Sequence, residues 1–70
     1  MIQYLDIEHN EWQNAATIPV DGYVNEEGDF VFAPWAEEFL LVGMFLWGNA
    51  EWSDALGASV IRGKENWREV

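Results

Sequence analysis

The chain has 70 residues, half of them apolar, with five Trp, two Tyr and four Phe, and a formal net charge of -10. This length allows one domain, expected to span residues 1–70, and the apolar and aromatic content excludes an intrinsically disordered chain. The absence of Cys excludes a disulfide framework and a thiolate metal site, and the longest apolar run, nine residues from Phe39 to Trp47, is far shorter than the roughly 20 residues of a transmembrane helix.

The first 20 residues predict one short strand followed by a connector. Met1–Ile7 is rich in β-branched and aromatic side chains, which favours a strand. Glu8–Ala16 is polar with one Trp, and we expect either a loop or a single helical turn. Pro19 then marks Thr17–Val20 as a sheet edge or a connector, because Pro cannot donate a hydrogen bond to a neighbouring strand.

The clearest local pattern is a β-hairpin from Gly22 to Phe32. Two runs typical of strands flank a turn that contains Asn25 and Gly28, two residue types that tolerate the backbone conformations of tight turns. We expect the aromatic side chains of both strands to pack across the hairpin, and its acidic side chains to crowd the tip.

A helix is predicted from about Trp35 to Trp47. Pro34 is tolerated in a first helical turn, and Glu37 and Glu38 would lie near the positive end of the helix dipole. The apolar residues of this segment extend almost all round such a helix, unlike those of an amphipathic surface helix. We therefore expect it to be the central element of the domain, wrapped by the sheet and the tail, with an interface on one side as the alternative.

The last third of the chain predicts a second helix, a strand and a tail. Gly48 and Asn49 would end the first helix and start the second, Ala50–Leu56, which Gly57 would stop. Ser59–Arg62 is typical of a closing strand, and Trp67 is expected to anchor the tail. The predicted fold class is α+β, with a small antiparallel sheet and its β-hairpin packed on one main apolar helix, plus a short second helix.

The distribution of charge is the main indication of function. From Met1 to Ile61 the chain carries eleven Asp and Glu side chains and no Lys or Arg, and its three basic residues all lie in the last nine positions. One-sided charge destabilises a compact chain by self-repulsion, so we expect the acidic surface to bind a basic partner. The candidate residues are Asp6, Glu8, Glu11, Asp21, Glu26, Glu27, Asp29, Glu37, Glu38, Glu51 and Asp54.

Catalytic and metal sites are weakly indicated. His9 is the only histidine and lies in a polar stretch, where a solvated ring supported by a carboxylate is a simpler interpretation than a catalytic base. No nucleophile motif or glycine-rich phosphate loop occurs. Glu26, Glu27 and Asp29 lack the spacing of an EF-hand loop and predict a solvated turn, with weak calcium binding as the alternative. We expect no enzymatic activity, no cofactor and no metal.

Carboxylates spaced along a strand can imitate DNA. Asp6 and Glu8, two residues apart in an extended chain, would stand roughly 6.6 Å apart, about two phosphate steps of ~3.4 Å along one DNA strand. Such a row could occupy a groove that binds nucleic acid in another protein. The same charge would repel nucleic acid itself, so we expect no direct binding to it.

The whole chain resembles the small phage-encoded anti-CRISPR proteins, several of which act as DNA mimics. The shared features are its length, its lack of Cys, its eleven acids before the first base and its apolar content. The resemblance rests on size, charge and composition. It implies a non-catalytic inhibitor that blocks the DNA-binding, PAM-reading surface of a CRISPR effector, with a type I surveillance complex as the target, in the cytoplasm of a bacterial host.

Other functions remain open at this point. An immunity protein or antitoxin that neutralises a basic nuclease or toxin would need the same negative charge. A structural subunit could dimerise through the apolar helix, although we expect a monomer. The acidic surface could also serve only to keep the protein in solution, without binding any partner. Attachment to a membrane surface is not expected, because anionic leaflets repel this chain.

Overall fold

Seven strands in two antiparallel sheets are the main elements of the structure, a computed structural model that describes all 70 residues. The strands are β1 (Ile2–Asp6), β2 (Glu11–Asn14), β3 (Gly22–Val24), β4 (Phe30–Phe32), β5 (Ala50–Ser53), β6 (Ala58–Ile61) and β7 (Trp67–Glu69). One sheet has the order β2-β1-β7 and the other β3-β4-β6-β5. The remaining elements are the 3₁₀ helices Pro34–Phe39 and Lys64–Asn66 and the α-helix α1, Val42–Trp47. The predicted fold, a single sheet packed on one main apolar helix, is therefore wrong.

The strands predicted at the start of the chain and at the hairpin are confirmed. Strand β1 lies within the predicted first strand. In the hairpin, β3 and β4 pair with Tyr23 opposite Val31 and Val24 opposite Phe30. Gly28 in the connecting turn has a φ of 83°, a conformation that favours glycine. Strand β6 likewise falls on the predicted closing strand.

Strand β2 replaces the loop or helical turn that was predicted after β1. The side chain of Asp6 accepts a hydrogen bond from the backbone N–H of His9 (3.0 Å), and Asn10 adopts a φ of 52°. Both features close a tight turn, because Asp and Asn side chains bond to nearby backbone and Asn tolerates positive φ. The chain then returns along β1, with Trp12 opposite Leu5.

The single helix predicted from Trp35 to Trp47 is divided in two. Leu40 and Leu41 have extended backbones, with ψ of 139° and 136°. The N–H of Leu41 donates to the carbonyl of Ala15 (3.0 Å), and Leu40 forms a β-bridge with Ala16. Pairing with this distant segment uses backbone groups that a continuous helix would need, so tertiary contacts override the local helical pattern.

The second predicted helix, Ala50–Leu56, is also wrong. Its first four residues form β5, which pairs with β6 so that Trp52 faces Ser59. The connecting turn is closed by a hydrogen bond from the N–H of Gly57 to the carbonyl of Ser53 (2.8 Å), and Gly57 has a φ of 62°. The glycine that was expected to stop a helix instead completes a hairpin turn.

Two apolar clusters form the core. The larger lies between the sheets and contains Ile2, Tyr4, Ala15, Phe30, Phe32, Ala36, Met44 and Ile61. The smaller contains Val31, Ala58 and Val60 from the central strands β4 and β6. Because alternate residues of a strand point to opposite faces, β4 and β6 are buried on both sides. The tail is anchored as predicted, since the indole N–H of Trp67 donates to the carbonyl of Gly28 (2.8 Å).

Helix α1 lies at the surface and is not wrapped by the sheets. Met44 is its only fully buried residue and enters the larger core cluster. Val42 and Leu46, on the opposite side, are 67% and 68% exposed. The prediction that this helix is the central core element is therefore wrong. Its exposed apolar side is the feature that the alternative prediction, an interface on one side of the helix, requires.

Candidate functional site

The eleven acidic candidates divide into two buried and nine exposed side chains. Asp6 is 0% and Asp29 4% exposed, so neither contributes to the outer surface. The predicted pairing of Asp6 with Glu8 in a phosphate-like row does not occur, because Asp6 points into the protein while Glu8 is exposed. The exposed candidates are Glu8, Glu11, Asp21, Glu26, Glu27, Glu37, Glu38, Glu51 and Asp54.

The exposed acids lie at the periphery of the sheets. Glu8, Asp54 and the pair Glu26 and Glu27 occupy three turns that connect neighbouring strands. Glu11 and Glu51 lie on the edge strands β2 and β5, and Asp21 directly precedes the edge strand β3. Glu37 and Glu38 belong to the first 3₁₀ helix. Nowhere do three or more His, Asp or Glu side chains come together in a group that could hold a metal ion.

The tip of the β3–β4 hairpin is ordered by Asn25. Its side-chain oxygen accepts hydrogen bonds from the backbone N–H groups of Glu27 and Asp29, both at 3.0 Å. Its amide also donates to the carboxylate of Asp29 (3.2 Å). This network turns Asp29 inward and leaves Glu26 and Glu27 in solvent, so only two of the three predicted tip acids are available to a partner.

Two further residues, Arg62 and Gly63, hold the carboxylate of Asp29. The backbone N–H of Gly63 donates to one carboxylate oxygen (2.8 Å), and the guanidinium of Arg62 donates to the other (2.9 Å). The Gly63 bond is the main cause of a pKa below the usual Asp range, and it outweighs burial, which acts in the opposite direction. Asp29 is thus a structural carboxylate that connects the hairpin to the tail.

Arg62 also reaches the edge strand β5. Its Nε donates to Glu51, so one guanidinium joins two carboxylates. Glu51 and then Asp29 raise the pKa of Arg62, because both favour its charged form. This basic residue is therefore engaged, and Glu51 is partly neutralised.

The second arginine of the tail docks on the three-stranded sheet. The Arg68 guanidinium lies 4.4 Å from the ring centroid of Trp12, in the geometry of a cation–π contact. Its Nε donates to the side chain of Gln3 (2.9 Å). Arg68 on β7 thus reaches across β1 to β2, and the basic tail is folded onto the body of the protein.

A second network of polar contacts joins the buried carboxylate of Asp6 to the half-exposed ring of His9. One carboxylate oxygen lies 2.8 Å from Nδ1 of His9, and Gln13 donates to the same oxygen (3.4 Å). Burial alone would raise the pKa of Asp6, but the backbone and ring of His9 together with Gln13 lower it below its usual value. The same contact raises the pKa of His9. The sequence contained a signal for this pair, an Asp three residues before a His in a polar turn.

His9 faces α1 as well as Asp6. Its ring packs edge-on against Trp47, with centroids 5.3 Å apart, and the N–H of Ile7 donates to the Trp47 carbonyl (2.7 Å). The β1–β2 turn is therefore fixed against the end of α1. The acidic Asp6 orients His9 as a carboxylate orients a general base, but the ring is half exposed and borders no cavity.

The one surface cavity has a volume of about 250 Å³. Its lining residues are Gly48, Asn49, Ala50, Glu51 and Arg62. Because Arg62 and Glu51 are bonded to each other there, the two charged groups of the lining already neutralise one another.

Searches of protein-family models, curated proteins and solved structures found no match to this chain. None of its helices has the length and apolar character needed to cross a membrane.

Proposed function

We propose that the chain is a non-catalytic inhibitor whose exposed acids take the place of DNA phosphates on the basic DNA-binding, PAM-reading surface of a CRISPR effector. A type I surveillance complex in a bacterial cytoplasm is the proposed target. The observation that carries the proposal is that eight of the nine exposed candidates form no salt bridge, Glu51 being the exception. Two of the three basic residues, Arg62 and Arg68, are already engaged with the body.

The physical basis is electrostatic competition. Carboxylates that form no salt bridge can accept charge-assisted hydrogen bonds from the Arg and Lys side chains that otherwise hold phosphates. The field of a chain with a net charge of -10 accelerates encounter with a basic surface, and added salt weakens this attraction. The proposal therefore predicts rapid, salt-sensitive association.

Two pairs of neighbouring acids are the best candidates for contact. Glu26 and Glu27 project from the hairpin tip, and Glu37 and Glu38 lie on the first 3₁₀ helix. Asp29 was expected to act with the tip acids, but its removal would break the contacts to Arg62 and Gly63. A test of the surface must leave Asp29 unchanged.

The first experiment is affinity capture from the lysate of a bacterium with a type I CRISPR system, at moderate salt, followed by elution with duplex DNA. Capture of the surveillance complex and its release by DNA support the proposal. Capture of a basic nuclease or toxin supports the immunity-protein alternative instead. Failure of DNA to release the captured complex contradicts mimicry.

The second experiment compares variants with equal loss of charge. The double variant E26Q/E27Q should weaken competition with labelled target DNA for the purified complex by roughly tenfold or more. It should also flatten the dependence of affinity on salt concentration. The control E65Q/E69Q removes two charges at exposed positions outside the candidate set and should retain most of the inhibition. Equal losses in both variants would show that net charge matters and the proposed contact residues do not.

A further inference from the structure

The outer side of α1 is a continuous apolar ridge. Val42, Phe45 and Leu46 have the i, i+3, i+4 spacing that places side chains on one side of a helix, and all three are exposed. Leu41, directly before the helix, is exposed as well. Met44 occupies the opposite side and fills the core, so the helix cannot turn its outer residues inward without losing that contact.

This ridge differs from the scattered exposed apolar residues of ordinary surfaces. None of the six residues of α1 is charged, and no Lys, Arg, Asp or Glu interrupts the run from Phe39 to Trp47. At the far end, Ile7 is 52% exposed, and its N–H is bonded to the carbonyl of Trp47. The apolar surface therefore extends from α1 onto the β1–β2 turn, and contiguous apolar surface of this kind typically marks an interaction site.

The charges on both sides of the ridge are negative. Glu37 and Glu38 lie on the 3₁₀ helix that precedes α1, and Glu8 belongs to the turn that packs on its end through His9 and Trp47. These elements carry no Lys or Arg, and the ring of His9 on the turn is already bonded to the carboxylate of Asp6. A second copy of the chain would bring two highly negative surfaces together. A partner with an apolar stripe between cations would match both the ridge and its flanks.

From these observations we infer that the outer side of α1 docks a cationic amphipathic helix of a partner protein. The apolar stripe of the partner covers Val42, Phe45 and Leu46, and its Lys or Arg side chains face the flanking acids. The contact is one helix packed against another, in which side chains at i, i+3 and i+4 of each helix face the partner. The inference goes beyond the proposed function, because it requires no DNA-binding surface.

The test uses two synthetic 18-residue peptides with the same number of Lys residues. In one, Leu occupies the i, i+3, i+4 positions; in the other, Ser replaces every Leu. The Leu/Lys peptide should bind the unaltered protein at least roughly tenfold more tightly by calorimetry at moderate salt, because burial of two or more apolar side chains adds to the charge attraction. Equal affinity for the two peptides would overturn the inference.

Variants locate the binding surface. V42S/L46S should abolish the preference for the Leu/Lys peptide, whereas Y23S/V24S, which changes two comparably exposed residues on edge strand β3, should preserve it. The opposite pattern overturns the inference. Dimers that V42S/L46S dissociates in sedimentation experiments would assign the ridge to a second copy and overturn it as well. The peptide comparison on the unaltered protein remains decisive if a variant fails to fold.

Discussion

The orientation of α1 can be tested by truncating its inward and outward residues separately. Met44 is 0% exposed and packs in the larger core cluster, so Met44→Ala removes buried apolar atoms and leaves a cavity. Such a substitution costs about 2–5 kcal/mol. A chain of 70 residues is expected to have a free energy of unfolding of only about 4–10 kcal/mol, so the loss is a large fraction of the total.

The assay is urea unfolding followed by Trp fluorescence, together with thermal unfolding by circular dichroism. A loss of about 3 kcal/mol should lower the Tm by about 12–24 °C and the urea midpoint by about 3 M. The matched control is Leu46→Ala on the same helix, which is 68% exposed and should change stability by less than about 0.5 kcal/mol. A comparable loss in both variants would refute the assignment of Leu46 to the free surface.

Two further predictions concern the buried carboxylates. The contribution of the Asp6–His9 pair should be greatest between about pH 4 and 6.5. It is lost at higher pH as His9 deprotonates through its raised pKa, and at lower pH as Asp6 protonates through its lowered pKa. The Tm difference between the unaltered protein and His9→Gln should therefore shrink towards pH 9. A constant Tm difference from pH 5 to 9 would contradict a stabilising Asp6–His9 pair. Asp29→Asn should lower the Tm by about 5 °C or more, because Arg62 and Gly63 lose a charged acceptor. Glu27→Gln, with the same change of charge at an exposed site, should shift it by less than about 2 °C, and equal shifts would show that Asp29 is not structural.

Elements specified by short-range signals could be predicted from the sequence. The hairpin depends on Asn25 and Gly28, whose turn conformations and side-chain bonds are local properties of the chain. The strand near Ile2 and the anchoring of Trp67 likewise followed from residue type and position. In each case the final structure adds tertiary contacts that agree with the local preference.

The helices could not be predicted, because distant backbone groups decide their boundaries. Leu40 and Leu41 lie in a run that is apolar enough for a buried helix, yet they pair with Ala15 and Ala16. Nothing in the local pattern of either segment indicates this pairing. Similarly, Trp52 lies in a strand because β6 is available beside it, and its own neighbours are compatible with a helix.

The role of each carboxylate also depends on tertiary structure. Counting charges along the chain placed Asp6 and Asp29 with the other candidates, whereas their partners, His9 and Arg62, remove them from the surface. The Asp6–His9 contact spans only three residues and was open to sequence reasoning. Asp29 and Arg62 are 33 residues apart, and only the pairing of β4 with β6 brings them together.

The acidic surface and the apolar ridge constrain each other. Fourteen large hydrophobic residues are exposed and twelve apolar residues are buried, so a high apolar content did not mean a large core. A ridge such as that of α1 would favour self-association in a neutral protein. A net charge of -10 opposes contact between identical copies while it favours contact with a basic partner. The charge can therefore select which partner covers the ridge, and the two features together form a more specific interaction surface than either would alone.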